Sequence, residues 1–265
     1  MDIVYSITCH ESPECLIDFL NNIFYFNKGL SVSVIVHSNR FMYDQLLGKI
    51  NNTNVYLNPN TLDKRRGSID IFRGHIENFG LCKEKEMNMK YFIPLASNCY
   101  FCNFVTLDFI DNLILNSKNV DYTHGVNADE WKIPRKWQWH GILKNNKINT
   151  LLKTQGVEKL FGGQHEGLIL DKNTMDILYN FIYTYKIFEN VEADTPFEEY
   201  LFQSVYTSLT GKMPEYLCFV FWNMPNLKPT LSQVLDCDKP SFKIVQRSMN
   251  CEFRLYFNKK TNNYA

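Results

Sequence analysis

Residues 3 to 114 alternate short apolar segments with amphipathic ones, and this alternation constrains the fold more than any other feature. Between the apolar segments, residues such as Leu16, Phe19 and Ile23 recur at helical spacing. Strands that alternate with helices favour a mostly parallel sheet with helices on both faces. The segments with the length and composition of buried strands are "IVYSI" (3–7), "VSVIV" (32–36), "NVYL" (54–57) and "KYFIPL" (90–95).

Polar segments follow three of these strands: "CHES" (9–12), "HSNR" (37–40) and "ASNCYF" (96–101). The carboxyl ends of parallel strands meet at one edge of a sheet, and ligands of open α/β sheets bind there. We therefore expect the three segments, which we interpret as loops, to surround one cleft.

The second half of the chain is less regular. It contains a long tryptophan-bearing loop, a glycine turn that leads into a strand, two helices and a late strand. With no internal repeat and no low-complexity linker, we predict one domain over 1–265, with halves 1–125 and 126–265. The corresponding segments are 124–143 (loop), 161–170 (turn and strand), about 173–188 and 193–211 (helices) and 215–222 (strand).

Composition excludes several classes of partner. Lys plus Arg and Asp plus Glu both number 28, so no field of one sign predicts nucleic-acid binding. The N-terminus lacks a signal-peptide pattern, and the longest uncharged run, 91–107, contains Pro94 and the polar residues Ser97, Asn98, Asn103 and Thr106, so we expect no transmembrane segment. The eight scattered cysteines predict free thiols. We expect a cytoplasmic protein, with peripheral attachment to a membrane left open.

Common cofactor motifs are absent. The chain has no Walker-type loop, no G-x-G-x-x-G after the first strand and no G-x-S-x-G. Cys99 and Cys102 form a lone pair without a second ligand pair. Asp236 and Asp238 form one Asp-x-Asp, for which a turn is the favoured interpretation and a divalent cation the alternative. We expect no metal and no other cofactor.

Three tryptophans, Trp131, Trp137 and Trp139, lie within one predicted loop. Flat aromatic faces pack against pyranose rings, and loops often carry ligand sites, so this segment is a candidate for sugar binding. Packing of the loop onto the core explains the same residues equally well.

Two adjacent carboxylates, Glu198 and Glu199, precede an apolar helical segment. Acids are common in the first turn of a helix because they interact with the positive end of its dipole. Local physics therefore favours capping charges over catalytic groups.

Five segments, in this order, resemble the core-2/I-branching glycosyltransferase family over about residues 3–210. A first strand ends in His before a Pro-Glu helix start, a second strand also ends in His, and a later Pro and acidic pair precede an aromatic helix. The segments are "YSITCHESPECLIDFLNNI", "SVSVIVHSNR", "YFIPLASNCYF", "GGQHEGLIL" and "TPFEEYLFQSV". Where the family's third segment carries an Asp, this chain has Asn98 or Cys99.

The resemblance implies a GT-A-like fold and an inverting, metal-independent transfer of a sugar from a nucleotide-sugar donor, expected to be a UDP-sugar. The acceptor would be a hydroxyl of a glycan or glycolipid. The family's catalytic base aligns with Glu199. One extra residue after Pro196 leaves Glu198 open, and Glu166 is the rival candidate.

The same resemblance implies two basic side chains near the C-terminus that hold the diphosphate. We favour Lys243 and Arg247 over Lys228 and Arg254 for this role. Other donor-binding candidates are His10, His37 and Arg73; candidates for the acceptor or sugar are Gln164, His165, Trp131, Trp137 and Trp139.

Two other functions remain open on sequence grounds. One is a metal-dependent GT-A transferase that uses Asp236 and Asp238. The other is a non-catalytic glycan-binding protein with a transferase-like fold.

Overall fold

The structure is a computed structural model that describes residues 1–63, 69–120, 146–158, 160–190, 196–220, 229–244 and 248–261. In chain order the elements are β1 (Ile3–Thr8), α1 (Pro13–Phe26), β2 (Val32–His37), α2 (Arg40–Leu46), β3 (Val55–Leu57), α3 (Ile69–Glu84), β4 (Tyr91–Ala96), β5 (Cys99–Phe101), α4 (Leu107–Leu115), α5 (Asn146–Thr154), β6 (Leu170–Asp171), α6 (Lys172–Thr184), α7 (Ile187–Asn190), a 3-10 turn (Phe197–Glu199), α8 (Leu201–Thr210), β7 (Cys218–Phe219), α9 (Leu231–Leu235), β8 (Ser241–Lys243) and α10 (Glu252–Thr261).

The central sheet has the strand order β3-β2-β1-β4-β6. β1 is parallel to β2 and β4, β2 is parallel to β3, and β6 alone runs antiparallel, against β4. The predicted mixed α/β architecture with a mostly parallel sheet is confirmed, and each of the four strands predicted in the first half lies where the sequence placed it.

Both faces of this sheet are covered by helices. Ile3, Tyr5 and Ile7 of β1 pack in one apolar cluster with α1, whereas Val4 packs in a second cluster with α3, α6 and α8. The alternation follows from the strand period of two, because successive side chains point to opposite faces. All six residues of β1 are buried, which explains its nearly unbroken apolar sequence.

Local sequence signals fix the start of α1. The Ser12 hydroxyl accepts a hydrogen bond from the Cys15 backbone N–H at 3.3 Å, and Pro13 occupies the first helical position, where no backbone donor is needed. This cap places the segment between β1 and α1 at the carboxyl edge of the sheet.

A second, three-stranded sheet has the order β5-β8-β7, with β8 antiparallel to β5 and parallel to β7. The interpretation of residues 96–101 as a loop was therefore wrong for β5, and the strand expected over 215–222 is only two residues long in β7. β5 pairs with β8, about 140 residues later in the chain, so its strand conformation depends on a partner that local patterns do not reveal.

The C-terminal helix α10 packs on α1. Phe257 contacts Phe26 of α1 and Tyr100 of β5, with ring centroids 6.0 Å and 5.9 Å away. Within the described part of the chain, no helix combines the length and hydropathy needed to cross a membrane. The eight cysteines are free thiols, and all except Cys237 are buried.

Candidate functional site

The three polar segments that follow the parallel strands meet at one edge of the sheet, but residues 96–101 do not line the cavity found there. The Cys9 N–H donates to the His37 carbonyl at 2.8 Å, and the His10 N–H donates to the Ser97 hydroxyl at 3.2 Å. Beside them lies a cavity of about 510 Å³, which we call the β1 pocket. It is lined by Cys9, His10, Glu11, Ser12, Pro13, Asn39, Phe41, Met42, Gln45 and Leu62.

The three predicted donor-binding residues of the first half lie in different parts of the structure. His10 is exposed and lines the β1 pocket. His37 is completely buried at the end of β2. Arg73 lies on α3, where its guanidinium is 3.5 Å from Glu77 and stacks on Phe188. Of these three candidates, only His10 contributes to the lining of the pocket.

A tight turn carries the second candidate segment. Gly167 has a positive φ of +76°, and a Cβ at this position would lie 2.3 Å from the Cys218 backbone nitrogen, so the turn requires glycine. The Gly167 N–H donates to the Pro94 carbonyl of β4 at 2.8 Å. Because of this turn, residues 164–166 form an irregular segment, although we expected them to lie on a strand. The observed strand, β6, comprises only Leu170–Asp171.

Glu166 forms an ion pair with Lys243 of β8. Its other carboxylate oxygen lies 3.7 Å from Nδ1 of His165. Burial alone would raise the pKa of Glu166, but the interactions of its carboxylate with His165 and Lys243 outweigh burial and lower the pKa to about 2. Burial would lower the pKa of Lys243, yet its pairing with Glu166 raises it. Both groups are therefore ionised near neutral pH.

His165 is buried, and burial lowers its pKa despite the neighbouring Glu166. Near neutral pH the imidazole is therefore neutral, and Lys243 supplies the positive charge that Glu166 faces. Gln164 fixes the same segment, because its amide donates to the Glu166 carbonyl at 3.0 Å and to the Cys218 carbonyl at 2.7 Å.

Glu198 differs from a solvated capping charge. Its side chain is buried, and Oε2 has no hydrogen-bond partner among the described residues. Burial raises the pKa of Glu198 well above its ordinary value, and Glu199 and Glu166 raise it further. Burial therefore favours the protonated, neutral form of this side chain.

The expected helix start also needs correction. Glu198 and Glu199 lie in the 3-10 turn, and α8 begins after them at Leu201 with Tyr200 as its N-cap. Neither the turn nor the helix has a side-chain cap hydrogen bond, and both acids lie in the first turn of the 3-10 element, not of α8. The aromatic and apolar neighbours of the pair bury this turn against α3 instead.

Glu199 is partly exposed. Its carbonyl accepts a hydrogen bond from the Gly163 N–H at 2.7 Å, which joins the turn to the segment that carries Glu166. We call Glu166, Glu198, Glu199 and Lys243 the acidic cluster. Since Lys243 pairs in register with Cys99, just beyond the end of β4, the cluster lies on the carboxyl side of the central sheet.

A chain of buried polar side chains leads from the central sheet to this cluster. Asn78 donates to the Ser6 hydroxyl at 2.9 Å, and the Ser6 hydroxyl lies 2.8 Å from Nδ1 of His75. The rings of His75 and His165 are 5.5 Å apart. Sequence reasoning missed Ser6, His75 and Asn78. The available signal was the position of His75 three residues after Phe72, on the buried face of a predicted helix.

The remaining predicted residues lie apart from the cluster or outside the described residues. Arg254 is completely buried on α10 against α1, which removes it as a diphosphate candidate. Asp236 and Asp238 are exposed in the turn after α9, and the described residues contain no group of three or more potential metal ligands. Outside the described residues are Trp131, Trp137, Trp139, Lys228 and Arg247.

Comparison with protein-family models and with curated proteins found no match to this chain. The function must therefore be argued from the groups themselves. The acidic cluster combines a neutral acid, an ionised carboxylate with a cationic partner, and a partly exposed carboxyl group. Such a set can exchange a proton with a hydroxyl group and offset negative charge beside it.

Proposed function

We propose that the chain is an inverting, metal-independent glycosyltransferase that moves a sugar from a nucleotide-sugar donor to a hydroxyl of a glycan or glycolipid. A UDP-sugar is the expected donor, and the fold is expected to be GT-A-like. The observation that carries the proposal is the acidic cluster, which combines a partly exposed Glu199 with a cationic Lys243 on the ligand-binding side of a mostly parallel sheet.

Glu199 is the proposed general base. It takes the proton of the acceptor hydroxyl while the acceptor oxygen forms a bond to the anomeric carbon. The bond from that carbon to the diphosphate oxygen breaks, and the diphosphate leaves with the electron pair. The positive charge of Lys243 offsets the negative charge that develops on the leaving group.

The neighbours of Glu199 support this assignment. Glu198 is buried and held neutral, so Glu199 does not face a second negative charge on the adjacent residue. Glu166 is already ion-paired, and its low pKa makes it a weak base. Of the three carboxyl groups, Glu199 alone is partly exposed and therefore accessible to an acceptor.

The β1 pocket supports the donor part of the proposal. Its volume of about 510 Å³ falls within the usual range for small-molecule sites. Among the described residues, its lining contains no Lys or Arg, which suits the uncharged base and ribose of a nucleotide better than its phosphates. Phe41 is 72% exposed there and offers a ring face for a base.

The test is a screen for donor hydrolysis and sugar transfer with UDP-, GDP- and CMP-sugars, each with and without EDTA. The proposal predicts turnover of a UDP-sugar that EDTA does not reduce. Activity that EDTA abolishes would favour the metal-dependent transferase with Asp236 and Asp238. Glycan binding without turnover of any donor would favour the non-catalytic protein.

A further inference from the structure

The side chain of Arg254, on the C-terminal helix α10, is completely buried. Its guanidinium donates to the Asp18 carboxylate at 2.5 Å, to the Cys15 carbonyl at 2.9 Å and to Glu11 Oε2 at 3.0 Å. The planar group also lies over the ring of Tyr100, 5.3 Å from its centroid. One side chain of the last helix thus holds groups from the first helix and from the segment before it.

One of these partners belongs to the β1 pocket. Glu11 lines the pocket, although its own carboxylate is turned inward and its side chain is completely buried against Arg254. Cys9, His10 and Ser12 of the same segment also line the pocket. The position of this wall therefore depends on a contact with α10, which itself contributes no residue to the lining.

The charges make this contact difficult to replace. A carboxylate that is buried without its cation carries a desolvation penalty of several kcal/mol, so it moves towards water when the cation is removed. For Glu11 the adjacent open space is the β1 pocket. A released Glu11 would place a negative charge on the wall of that pocket and shift the segment that carries it.

We propose that Arg254 is a positioning residue for the β1 pocket, through which α10 sets the geometry and charge of a ligand site that it does not touch. Because coupling between two sites is reciprocal, a ligand in the pocket also stabilises the docking of α10. The part of this inference that concerns nucleotide binding rests on the proposed function. The part that concerns the position of the pocket wall is independent of it.

Two cysteines report on the pocket wall without any ligand. Cys9 lines the pocket and is 4% exposed, and Cys15 is 2% exposed beside Arg254. Cys82 is completely buried in the other apolar cluster and serves as an internal reference for global unfolding. Labelling with iodoacetamide, followed by mass spectrometry, measures the rate at each thiol separately.

In Arg254→Lys and in Glu11→Gln, we expect Cys9 and Cys15 to react faster by on the order of tenfold, while Cys82 reacts at the wild-type rate. Lys259→Met is the matched control, because it removes an exposed cation from the same helix and should leave all three rates unchanged. Equal acceleration at Cys82, or wild-type rates at Cys9 and Cys15 in both variants, would overturn the proposal. Arg254→Lys keeps a cation and Glu11→Gln keeps the size of the side chain, so the test does not depend on a variant that removes the buried cation.

A second arm uses uridine diphosphate as the probe, with affinity measured by calorimetry. Arg254→Lys should weaken binding by about tenfold, because a single ammonium cannot hold Glu11, Asp18 and the Cys15 carbonyl in the same geometry and the pocket wall shifts. Unchanged affinity in Arg254→Lys would count against the positioning role. If the wild-type protein does not bind uridine diphosphate, the donor proposal fails, whereas the thiol rates still decide the role of Arg254.

Discussion

Two cations from the C-terminal part of the chain pair with carboxylates from distant segments, but their surroundings differ. The side chain of Arg254 is 0% exposed and has fixed partners in Glu11 and Asp18. The side chain of Lys243 is 28% exposed and pairs with Glu166, next to a buried Glu198 with an unpartnered oxygen among the described residues.

The difference in exposure indicates which ion pair stabilises the fold and which one can take part in a reaction. A planar guanidinium with several simultaneous partners holds a rigid geometry, whereas an ammonium on a flexible stem can exchange one partner for another. Buried polar groups that are fully hydrogen-bonded stabilise a unique packing, while groups left without partners concentrate at functional sites. The two terminal nitrogens of Arg254 fit the first description, although its Nε has no partner among the described residues, and the acidic cluster fits the second.

The largest expected effect is on turnover. Glu199→Gln should lower the transfer rate by about 10²–10⁴-fold, because the amide cannot accept the acceptor proton. Donor binding should remain nearly intact, as measured by calorimetry. Glu166→Gln is the matched comparison, and near-wild-type turnover in Glu199→Gln together with a large loss in Glu166→Gln would assign the base to Glu166.

The second effect contrasts the two cations directly. Arg254→Met should lower the free energy of unfolding by about 3–5 kcal/mol, since it leaves buried carboxylates without their cation. Lys243→Met should cost less, about 1–3 kcal/mol, because water reaches that pair. Lys259→Met should change stability by less than about 0.5 kcal/mol. Urea unfolding measures all three, and equal losses for Arg254→Met and Lys243→Met would remove the contrast.

The third effect concerns pH. The pKa of Glu166 is about 2 in the folded protein against an ordinary value of 4.5. A lowered folded pKa contributes stability that is present above the unfolded value and is lost as pH falls from 4.5 towards 2. The contribution is at most about 3 kcal/mol. Lys243→Met should therefore flatten the decrease in unfolding free energy as pH falls from 4.5 towards 2, relative to wild type. An unchanged slope would mean that Lys243 does not set the ionisation of Glu166.

The smallest effect tests the polar chain that supports the cluster. Ser6→Ala removes hydrogen bonds to His75 and Asn78 and should cost about 1–2 kcal/mol of unfolding free energy. Ser33→Ala is the matched control on the neighbouring strand, where the buried hydroxyl has no partner among the described residues, and it should be nearly neutral. Equal costs for the two variants would show that the contacts of Ser6 add no stability.

Much of the fold could be predicted because its signals are local. The strands of the central sheet are continuous apolar segments, and Ser12 and Pro13 mark the start of α1. β5 escaped prediction because its three residues become a strand only by pairing with β8. Within 161–170, predicted as a glycine turn that leads into a strand, residues 164–166 were expected on the strand because the sequence does not reveal the positive φ of Gly167.

Some features of the candidate site could also be predicted from the sequence, and others could not. The sequence by itself determined the parallel sheet and the polar segments at its carboxyl edge, because residue type and spacing encode these features. Glu166, Glu198 and Glu199 became candidates through the resemblance to a glycosyltransferase family. Only the tertiary structure decided that Glu198 is buried and neutral, that Lys243 pairs with Glu166, and that Arg254 is an anchor. Burial and ion pairing join segments far apart in the chain, and it is the dielectric and charge of that shared environment that set the ionisation of each group.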